Sequence, residues 1–246
     1  MPAETFPPHR ILVFTGAGVS AESGLGTFRG QGGLWEKFRP EELATPEAFA
    51  RDPGTVWRWY AERFAGMRAA EPNAAHREIA RWQELFASVL VVTQNIDRLH
   101  QRAGSRDVVE LHGDIWTARC NRCGFEIDMP SAIDLAPGGG PPKCGCGGLL
   151  RPGVVWFGER LPRAAFERAA EEAARADLFV AAGTSASVYP AAGLIEIAAA
   201  AGAEVVEINR EETPLSHLAH RSLREPAGTA FPLLTLELLA RGGAGR

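Results

Sequence analysis

RILVFTGAGVSA, residues 10–21, joins a short apolar, β-branched run directly to a glycine-rich turn. A run of this kind is typical of a strand buried in a parallel sheet, and the turn after it marks the strand's carboxyl end. Four similar runs follow along the chain and alternate with stretches of helical pattern. The five predicted strands are 10–15, 88–93, 108–111, 177–182 and 204–208. The alternation predicts an α/β fold built on a Rossmann-like parallel sheet.

The loops after four of these strands are rich in residues that suit a ligand site. The first, second, fourth and fifth strands each end in Gly, Asn, Ser or Thr residues. An open α/β sheet usually binds its ligand at the carboxyl ends of its strands. We therefore expect four loops to converge on one site.

The four cysteines fall into two close pairs, Cys120 with Cys123 and Cys144 with Cys146. The N-terminal residues lack the apolar core of a signal peptide, so we expect a cytoplasmic protein, in which paired cysteines indicate metal rather than disulfides. Four thiolates suit one tetrahedral Zn²⁺ with no open position, which predicts a structural role. Two reduced pairs without metal are the alternative.

Two insertions interrupt the alternation of strands and helices. The residues between the first two strands have a helical pattern, with a helix expected over 55–70, and the second insertion holds all four cysteines. A further helix is predicted over 163–176. The predicted organisation has three parts: a Rossmann-like domain (1–30 with 86–115 and 151–246), an inserted helical module (31–85) and a small zinc-binding module (116–150).

The bulk composition restricts the partners. The chain has 246 residues, 46% of them hydrophobic, a formal net charge of -4 and no long block of like charge. Nothing in that balance calls for nucleic acid or an anionic membrane surface. No run approaches the roughly 20 apolar residues of a membrane span. We expect a monomer that binds neither nucleic acid nor membrane.

The glycine turn is similar to a dinucleotide fingerprint, with Gly16, Gly18 and then Ala21 in place of a third glycine. Glycines there allow backbone N–H groups to approach a pyrophosphate. A plain strand-to-helix turn is the alternative for a lone match. No acidic residue ends a second strand about 20 residues on, as a dehydrogenase would require. NAD binding is predicted, in a manner unlike that of dehydrogenases.

Four segments together resemble the sirtuin family. They are GAGVSAESGLGTFRG (16–30), TQNIDRLH (93–100), ELHG (110–113) and VWFGE (155–159), and they occur in that family's order over nearly the whole chain. The resemblance implies an NAD-dependent deacylase that acts on acylated lysine side chains of proteins and releases nicotinamide and O-acyl-ADP-ribose. The rivals are a mono-ADP-ribosyltransferase, which breaks the same bond in NAD, and a zinc-ribbon interaction module without catalysis.

The resemblance also implies roles for single residues. His112 would be the general base, with Asn95 and Asp97 beside it. The structural alternative for His112 is a histidine that is hydrogen-bonded to the backbone. The structural alternative for Asn95 and Asp97 is helix capping. The implied NAD-binding residues are Gly16, Ala17, Gly18, Ser20, Glu22, Thr27, Phe28, Arg29, Trp35, Gln94, Asn95, Ile96, Asp97, Gly183, Thr184, Ser185, Asn209, Arg210, Glu211 and Ala227. The implied peptide-binding strip contains Val155, Phe157, Gly158 and Glu159.

The acyl group that the enzyme removes is suggested by one departure from the common pattern. Many sirtuins have Pro-Asp-Phe-Arg where this chain has Gly-Thr-Phe-Arg at 26–29, and the Thr form resembles the branch that removes acidic acyl groups. That branch carries a Tyr and an Arg three residues apart, here Tyr60 and Arg63, which can face one pocket and bind a carboxylate. A core tyrosine and a solvated arginine are the alternative. We expect removal of acetyl, succinyl and malonyl groups, and a plain deacetylase is the rival.

Overall fold

The computed structural model describes residues 8–27, 39–136 and 138–243. The strands in this part of the chain are β1 (Arg10–Thr15), β2 (Ser88–Thr93), β3 (Val108–Glu110), β4 (Gly113–Cys120), β5 (Glu126–Asp128), β6 (Leu150–Val154), β7 (Leu178–Ala182), β8 (Glu204–Ile208) and β9 (Arg221–Leu223).

The α-helices in the same ranges are α1 (Ala17–Ser20), α2 (Pro40–Leu43), α3 (Pro46–Arg51), α4 (Pro53–Ala69), α5 (Ala74–Leu85), α6 (Leu99–Arg102), α7 (Met129–Asp134), α8 (Arg163–Ala173), α9 (Gly193–Ala200) and α10 (Ala227–Gly243). Two short 3₁₀ helices lie at Ala21–Ser23 and Ser216–Leu218. None of these helices is long and apolar enough to cross a membrane.

The main sheet has six strands in the order β3-β2-β1-β7-β8-β9, and every neighbouring pair is parallel. The chain moves outward from β1 to β3 on one side and from β7 to β9 on the other. The direction therefore reverses between β1 and β7. In open parallel sheets this switch point is where a ligand crevice opens.

Helices cover both faces of the main sheet, so its strands are buried on both sides. Successive side chains along β1 point to opposite faces of the sheet. Val13 packs with α5 and α10, whereas Phe14 packs with α8 and α9. The Trp82 indole N–H donates to the Thr235 hydroxyl at 2.6 Å and joins α5 to α10. These two cores hold the carboxyl ends of the strands in a fixed arrangement.

A third core joins the inserted helices to a small antiparallel sheet of order β5-β4-β6. Tyr60 and Phe64 on α4 pack there with Ile115 and Trp156. Since β6 leads into the residues after Val154, this core places them next to α4. The cleft between the main sheet and the third core is where the site forms.

The predicted fold class is confirmed, with small differences in the elements. The strand predicted at 108–111 ends at Glu110, and the one predicted at 177–182 starts at Leu178. The helix predicted at 55–70 begins two residues earlier, at Pro53. The Asp52 carboxylate caps this helix by accepting a hydrogen bond from the Thr55 N–H at 3.0 Å, and proline suits the first turn of a helix. The helix predicted at 163–176 ends at Ala173. The sequence analysis did not predict β9 or the antiparallel sheet.

Candidate active site

The loops after β1 and β7 are in direct backbone contact. The Gly16 N–H donates to the Ala182 carbonyl at 3.0 Å, and the Gly18 N–H donates to the Gly183 carbonyl at 2.8 Å. A Cβ atom on Gly18 would lie 2.7 Å from the Gly183 Cα, and one on Gly183, at φ +59°, would lie 2.4 Å from the Val19 nitrogen. These glycines are therefore required for the close approach of the two loops, whatever ligand binds above them.

A cavity of about 460 Å³ opens above these loops, at the carboxyl ends of the main strands. It extends from the residues after β3 to those after β8. The predicted site residues that line it are Gly16, Ala17, Gly18, Thr27, Tyr60, Gln94, Asn95, Ile96, His112, Val155, Phe157, Gly158, Glu159, Gly183, Thr184, Ser185, Asn209 and Glu211. The four loops thus converge on one site.

His112 lies on the cavity wall just beyond β3. Its Nδ1 atom is 3.0 Å from the Gln94 carbonyl oxygen. Because a carbonyl oxygen only accepts, Nδ1 carries the proton and the neutral ring has Nε2 as its basic nitrogen. Burial lowers the pKa of His112, although the bond to Gln94 raises it in part. The ring is therefore neutral and available as a base at neutral pH.

Asn95 and Asp97 belong to a buried hydrogen-bonded cluster beneath the cavity. The Ser20 hydroxyl donates to the Asp97 Oδ2 atom at 2.7 Å, and the Asn95 side-chain amide donates to the Gly16 carbonyl at 3.0 Å and to Ser20 Oγ at 3.1 Å. Burial raises the pKa of Asp97, and bonds from Leu99 and Ser20 lower it in part. The cluster ties the loop after β2 to the glycine turn.

Polar links continue to the loops after β7 and β8. The Gln94 side-chain amide donates to the Thr184 hydroxyl at 2.8 Å, and the Asn209 amide donates to the Thr184 carbonyl at 2.7 Å. Three predicted residues from three different loops are thereby held in one chain of contacts. The cavity wall is preorganised by the protein's own hydrogen bonds.

The strip after β6 is held by a buried arginine. Arg151 makes two bonds to the Glu159 carboxylate, at 2.6 and 2.9 Å, and its guanidinium carbon lies 3.4 Å from the ring centre of Trp156. The backbone N–H of Val155 donates to the His112 carbonyl oxygen, and that of Phe157 donates to the Ala44 carbonyl oxygen. The strip is thus fixed between His112 and the inserted helices.

Tyr60 and Arg63 occupy different positions relative to the cavity. Tyr60 lines it, and its hydroxyl accepts the Trp156 indole N–H at 3.0 Å. Burial raises the pKa of Tyr60 to about 12, so the phenol stays protonated. Arg63 is not among the lining residues, and its guanidinium carbon lies 4.8 Å from the Trp59 ring centre. Burial lowers the pKa of Arg63, while the charges of Tyr60 and Asp97 raise it in part.

The four cysteines form one cluster. Their sulfurs lie within 4.8 Å of one another, with Cys120 Sγ 3.5 Å from Cys146 Sγ and Cys123 Sγ 3.7 Å from Cys144 Sγ. Tetrahedral zinc with bonds of about 2.3 Å requires sulfur separations of about 3.8 Å. Two backbone N–H groups donate to Sγ atoms, from Arg122 and Gly148. The cluster fits one closed zinc site, and none of its cysteines lines the cavity.

Some predicted residues lie outside the cavity lining. Ser20 and Asp97 are beneath it, and Arg210 is exposed beyond β8. Glu22 accepts the Gly228 N–H at 2.7 Å and so lies at the start of α10, next to Ala227. Phe28, Arg29 and Trp35 lie outside the described residues.

Sequence reasoning missed other parts of the site. Apart from Ala44, which also lines the cavity, eight further lining residues are Val154, Trp156, Leu161, Val188, Tyr189, Pro190, Glu212 and Thr213. Their only signal was proximity in sequence to predicted segments. Buried His76 was also missed. Its Nε2 atom lies 3.5 Å from Ser20 Oγ, and burial lowers its pKa to about 4.

The fold and the cavity define a Rossmann-like α/β protein with a nucleotide-sized cleft, a neutral histidine on the wall of that cleft and a four-cysteine cluster outside it. A model of the Sir2 family matches residues 16–190, more than half of the chain. The chain belongs to the Sir2 family, the sirtuins, as its four motifs predicted.

Known proteins are similar over nearly the whole chain. The chain is 51% identical over 223 residues to an NAD-dependent protein deacylase of Aquifex aeolicus, a match that covers 90% of this chain and 92% of the relative. A solved Sir2 homologue variant in complex with ADP ribose has a TM-score of 0.90 at 46% identity and covers 98% of this chain and 95% of its own. A Sir2 complex with p53 peptide and NAD⁺ has a TM-score of 0.85 at 34% identity, with 94% of each chain covered.

Proposed function

We propose that this protein is an NAD-dependent protein lysine deacylase that transfers acetyl, succinyl and malonyl groups from lysine side chains to ADP-ribose, with release of nicotinamide. The observation that carries the proposal is the Nδ1–H bond from His112 to Gln94. That bond fixes a neutral imidazole with a basic Nε2 on the wall of a nucleotide-sized cavity. The name of a similar protein, NAD-dependent protein deacylase, supports the NAD-dependent deacylation in this proposal.

NAD is proposed to lie along the carboxyl ends of the strands. The Gly16 to Gly18 turn, Gly183 and Ser185 would contact its central phosphates and ribose, and Asn209 its adenosine end. Gln94, Asn95 and Ile96 would contact the nicotinamide end beside His112. Asp97 and Ser20 would act from beneath by holding Asn95 in place. Roles for Glu22, Phe28, Arg29, Trp35, Arg210 and Ala227 stay predictions.

His112 is proposed to take a proton from a ribose hydroxyl of NAD, which makes that oxygen nucleophilic toward the acyl carbon. General bases work best with a pKa close to the working pH. The lowered pKa of His112 keeps Nε2 unprotonated at neutral pH. The Gln94 carbonyl oxygen, which accepts the hydrogen bond from Nδ1–H, would stabilise the imidazolium that forms.

The strip at 155–159 is proposed to bind the substrate backbone. Four of its backbone N–H groups already donate hydrogen bonds within the protein. Val155, Phe157 and Glu159 donate to the carbonyl oxygens of His112, Ala44 and Trp156 in turn, and Trp156 donates to the Glu159 carboxylate. A bound peptide would therefore meet the Gly158 N–H and the carbonyl oxygens of the strip. Backbone pairing of this kind reads little side-chain sequence. Broad protein specificity follows.

Removal of acidic acyl groups is proposed because of the positions of Tyr60 and Arg63. The Trp156 N–H occupies an acceptor position of the Tyr60 hydroxyl and leaves its proton available to a carboxylate in the cavity. Arg63 lies one helical turn further along α4. Its cation, close to Tyr60, could add a charge-assisted bond to the same carboxylate.

Zinc is assigned to Cys120, Cys123, Cys144 and Cys146, where it would stabilise the fold of the module. The three-part organisation (1–30 with 86–115 and 151–246; 31–85; 116–150), the monomeric state and the cytoplasmic location stay proposals from the sequence. The cysteines and the small sheet that carries them support a separate zinc module.

The experiment is to incubate the protein with NAD and matched acetyl-, succinyl- and malonyl-lysine peptides and to weigh the products. The proposal predicts free lysine, nicotinamide and O-acyl-ADP-ribose for all three peptides. ADP-ribose attached to protein would indicate a mono-ADP-ribosyltransferase. Reaction of the acetyl peptide alone would indicate a plain deacetylase.

A further inference from the structure

A buried carboxylate near the carboxyl end of β8 is surrounded by donors. Glu207 is 5% exposed. Its carboxylate accepts bonds from the hydroxyls of Thr213, Ser216 and Ser222 and from the Arg224 guanidinium, at 2.5 to 3.1 Å. Burial alone would raise the pKa of Glu207, but these donors outweigh it and lower the pKa below its ordinary value. The carboxylate is therefore charged and fully bonded.

Arg224, just beyond β9, joins this carboxylate to the adjacent backbone. One guanidinium nitrogen lies 2.5 Å from Glu207 Oε2 and 3.3 Å from the carbonyl oxygens of both Asn209 and Glu211. Asn209, Glu211 and Thr213 line the cavity. The Glu207–Arg224 pair thus holds one wall of the cavity from behind without lining it.

The position of this wall indicates which part of the ligand it meets. His112 follows β3, and the wall follows β8, four strand spacings away in the sheet. At about 4.8 Å per spacing the two are separated by about 19 Å, which is the scale of an extended dinucleotide. If the reacting ribose lies beside His112, the other nucleoside lies beside this wall.

We propose that Glu207 and Arg224 are positioning residues that hold residues 209–213 in the conformation that binds the adenosine half of NAD. This inference rests on the proposed use of NAD. Arg224 bonds the backbone carbonyls of Asn209 and Glu211, so its loss would release that part of the wall even though the Thr213 hydroxyl stays bonded to Glu207. The expected defect is weaker binding of NAD, with little effect on the acyl transfer beside His112.

The chain offers a matched control. Arg221, on β9, forms an ion pair with the Glu237 carboxylate on α10 through two bonds, at 2.6 and 2.8 Å, and neither residue lines the cavity. Arg224→Met and Arg221→Met therefore remove the same kind of ion pair, three residues apart. Glu207→Gln is a second test that keeps the side-chain volume in case Arg224→Met folds poorly.

The measurements are steady-state kinetics with acetyl-lysine peptide and calorimetric titration with ADP, which contains only the adenosine half. Arg224→Met and Glu207→Gln are expected to raise the KM for NAD and the dissociation constant for ADP about tenfold, as loss of bonds to charged groups would. The kcat and the KM for peptide should change less than about twofold, as expected when uniform binding is lost. Arg221→Met should resemble the wild type.

Unchanged NAD and ADP binding in folded Glu207→Gln and Arg224→Met would overturn the inference. So would a parallel fall in kcat and in both KM values for folded variants, or an equal binding defect in Arg221→Met, since each outcome indicates a general structural role. Failure of the wild type to bind ADP-ribose or use NAD would instead overturn the proposed function. The two failures are therefore distinguishable.

Discussion

Arg63→Met should separate two activities of one active site. The variant keeps an apolar stem and removes the cation that lies one helical turn from Tyr60. A succinyl or malonyl carboxylate beside Tyr60 would then lose its charged partner, whereas an acetyl group has no carboxylate to lose. Bonds to charged groups contribute about 1.5 to 3 kcal/mol each. We expect kcat/KM for succinyl-lysine peptide to fall about a hundredfold, which corresponds to about 3 kcal/mol.

Tyr60→Phe should give a smaller and different effect. It removes one hydroxyl donor, for which about tenfold is expected in desuccinylation. It also leaves the buried Trp156 N–H without the acceptor that it has at 3.0 Å, which should cost about 1 to 3 kcal/mol of folding free energy. Stability should therefore fall in Tyr60→Phe by more than in Arg63→Met.

The assay compares kcat/KM for acetyl- and succinyl-lysine versions of one peptide at saturating NAD. Arg58→Met is the control, since Arg58 lies on the same helix and does not line the cavity. The reasoning is refuted if the Arg63 variant loses both activities in parallel, or if the wild type does not use succinyl-lysine. Either result would make Tyr60 and Arg63 structural residues.

Three further predictions concern the base, the metal and a buried histidine. His112→Tyr should reduce deacylation at least about a hundredfold with an unchanged melting temperature. In the wild type, the lowered pKa of His112 should keep kcat/KM high as the pH falls below 6.5. A value of kcat/KM that already falls above pH 6.5 as the solution is acidified would contradict this. Cys123→Ser should lose zinc by elemental analysis and stability together, and a fully stable metal-free variant would refute the assignment. Burial of neutral His76 lowers its pKa to about 4, so its contribution to the free energy of unfolding is present above pH 6.5 and is lost as the pH falls through 4. Urea unfolding should therefore show that the wild type loses about 3 kcal/mol more of this free energy over that range than His76→Gln does. Equal losses in the two proteins would show that His76 is not buried as a neutral group.

The sequence predicted the parts of the fold that depend on local pattern. Runs such as RILVFT and SVLVVT are apolar throughout, and a strand buried on both faces requires that. Arg221–Leu223 forms only three residues of strand, with an arginine and a serine, and it is fixed by pairing with β8. Such a short polar edge strand has no distinctive local pattern, so the sequence could not predict it.

The candidate site shows the same division. His112 and the glycine turn were found because they lie in recognisable motifs at strand ends. The bonds that position them join residues far apart in sequence, such as Gln94 with Thr184 and Trp156 with Tyr60. The ion pair of Arg224 and Glu207, which are 17 residues apart, could not be predicted from the sequence for the same reason. A sequence indicates which residue types are present, but contacts made by tertiary packing decide which of them meet.

The proposed function requires that this chain consumes NAD as a substrate in lysine deacylation. The most direct test is to count, in one reaction with acetyl-lysine peptide, the nicotinamide released and the lysine freed. One nicotinamide is expected for each deacetylated lysine, with neither product formed when NAD or peptide is omitted. Lysine freed without NAD, or nicotinamide released in excess without loss of the acetyl group, would contradict it.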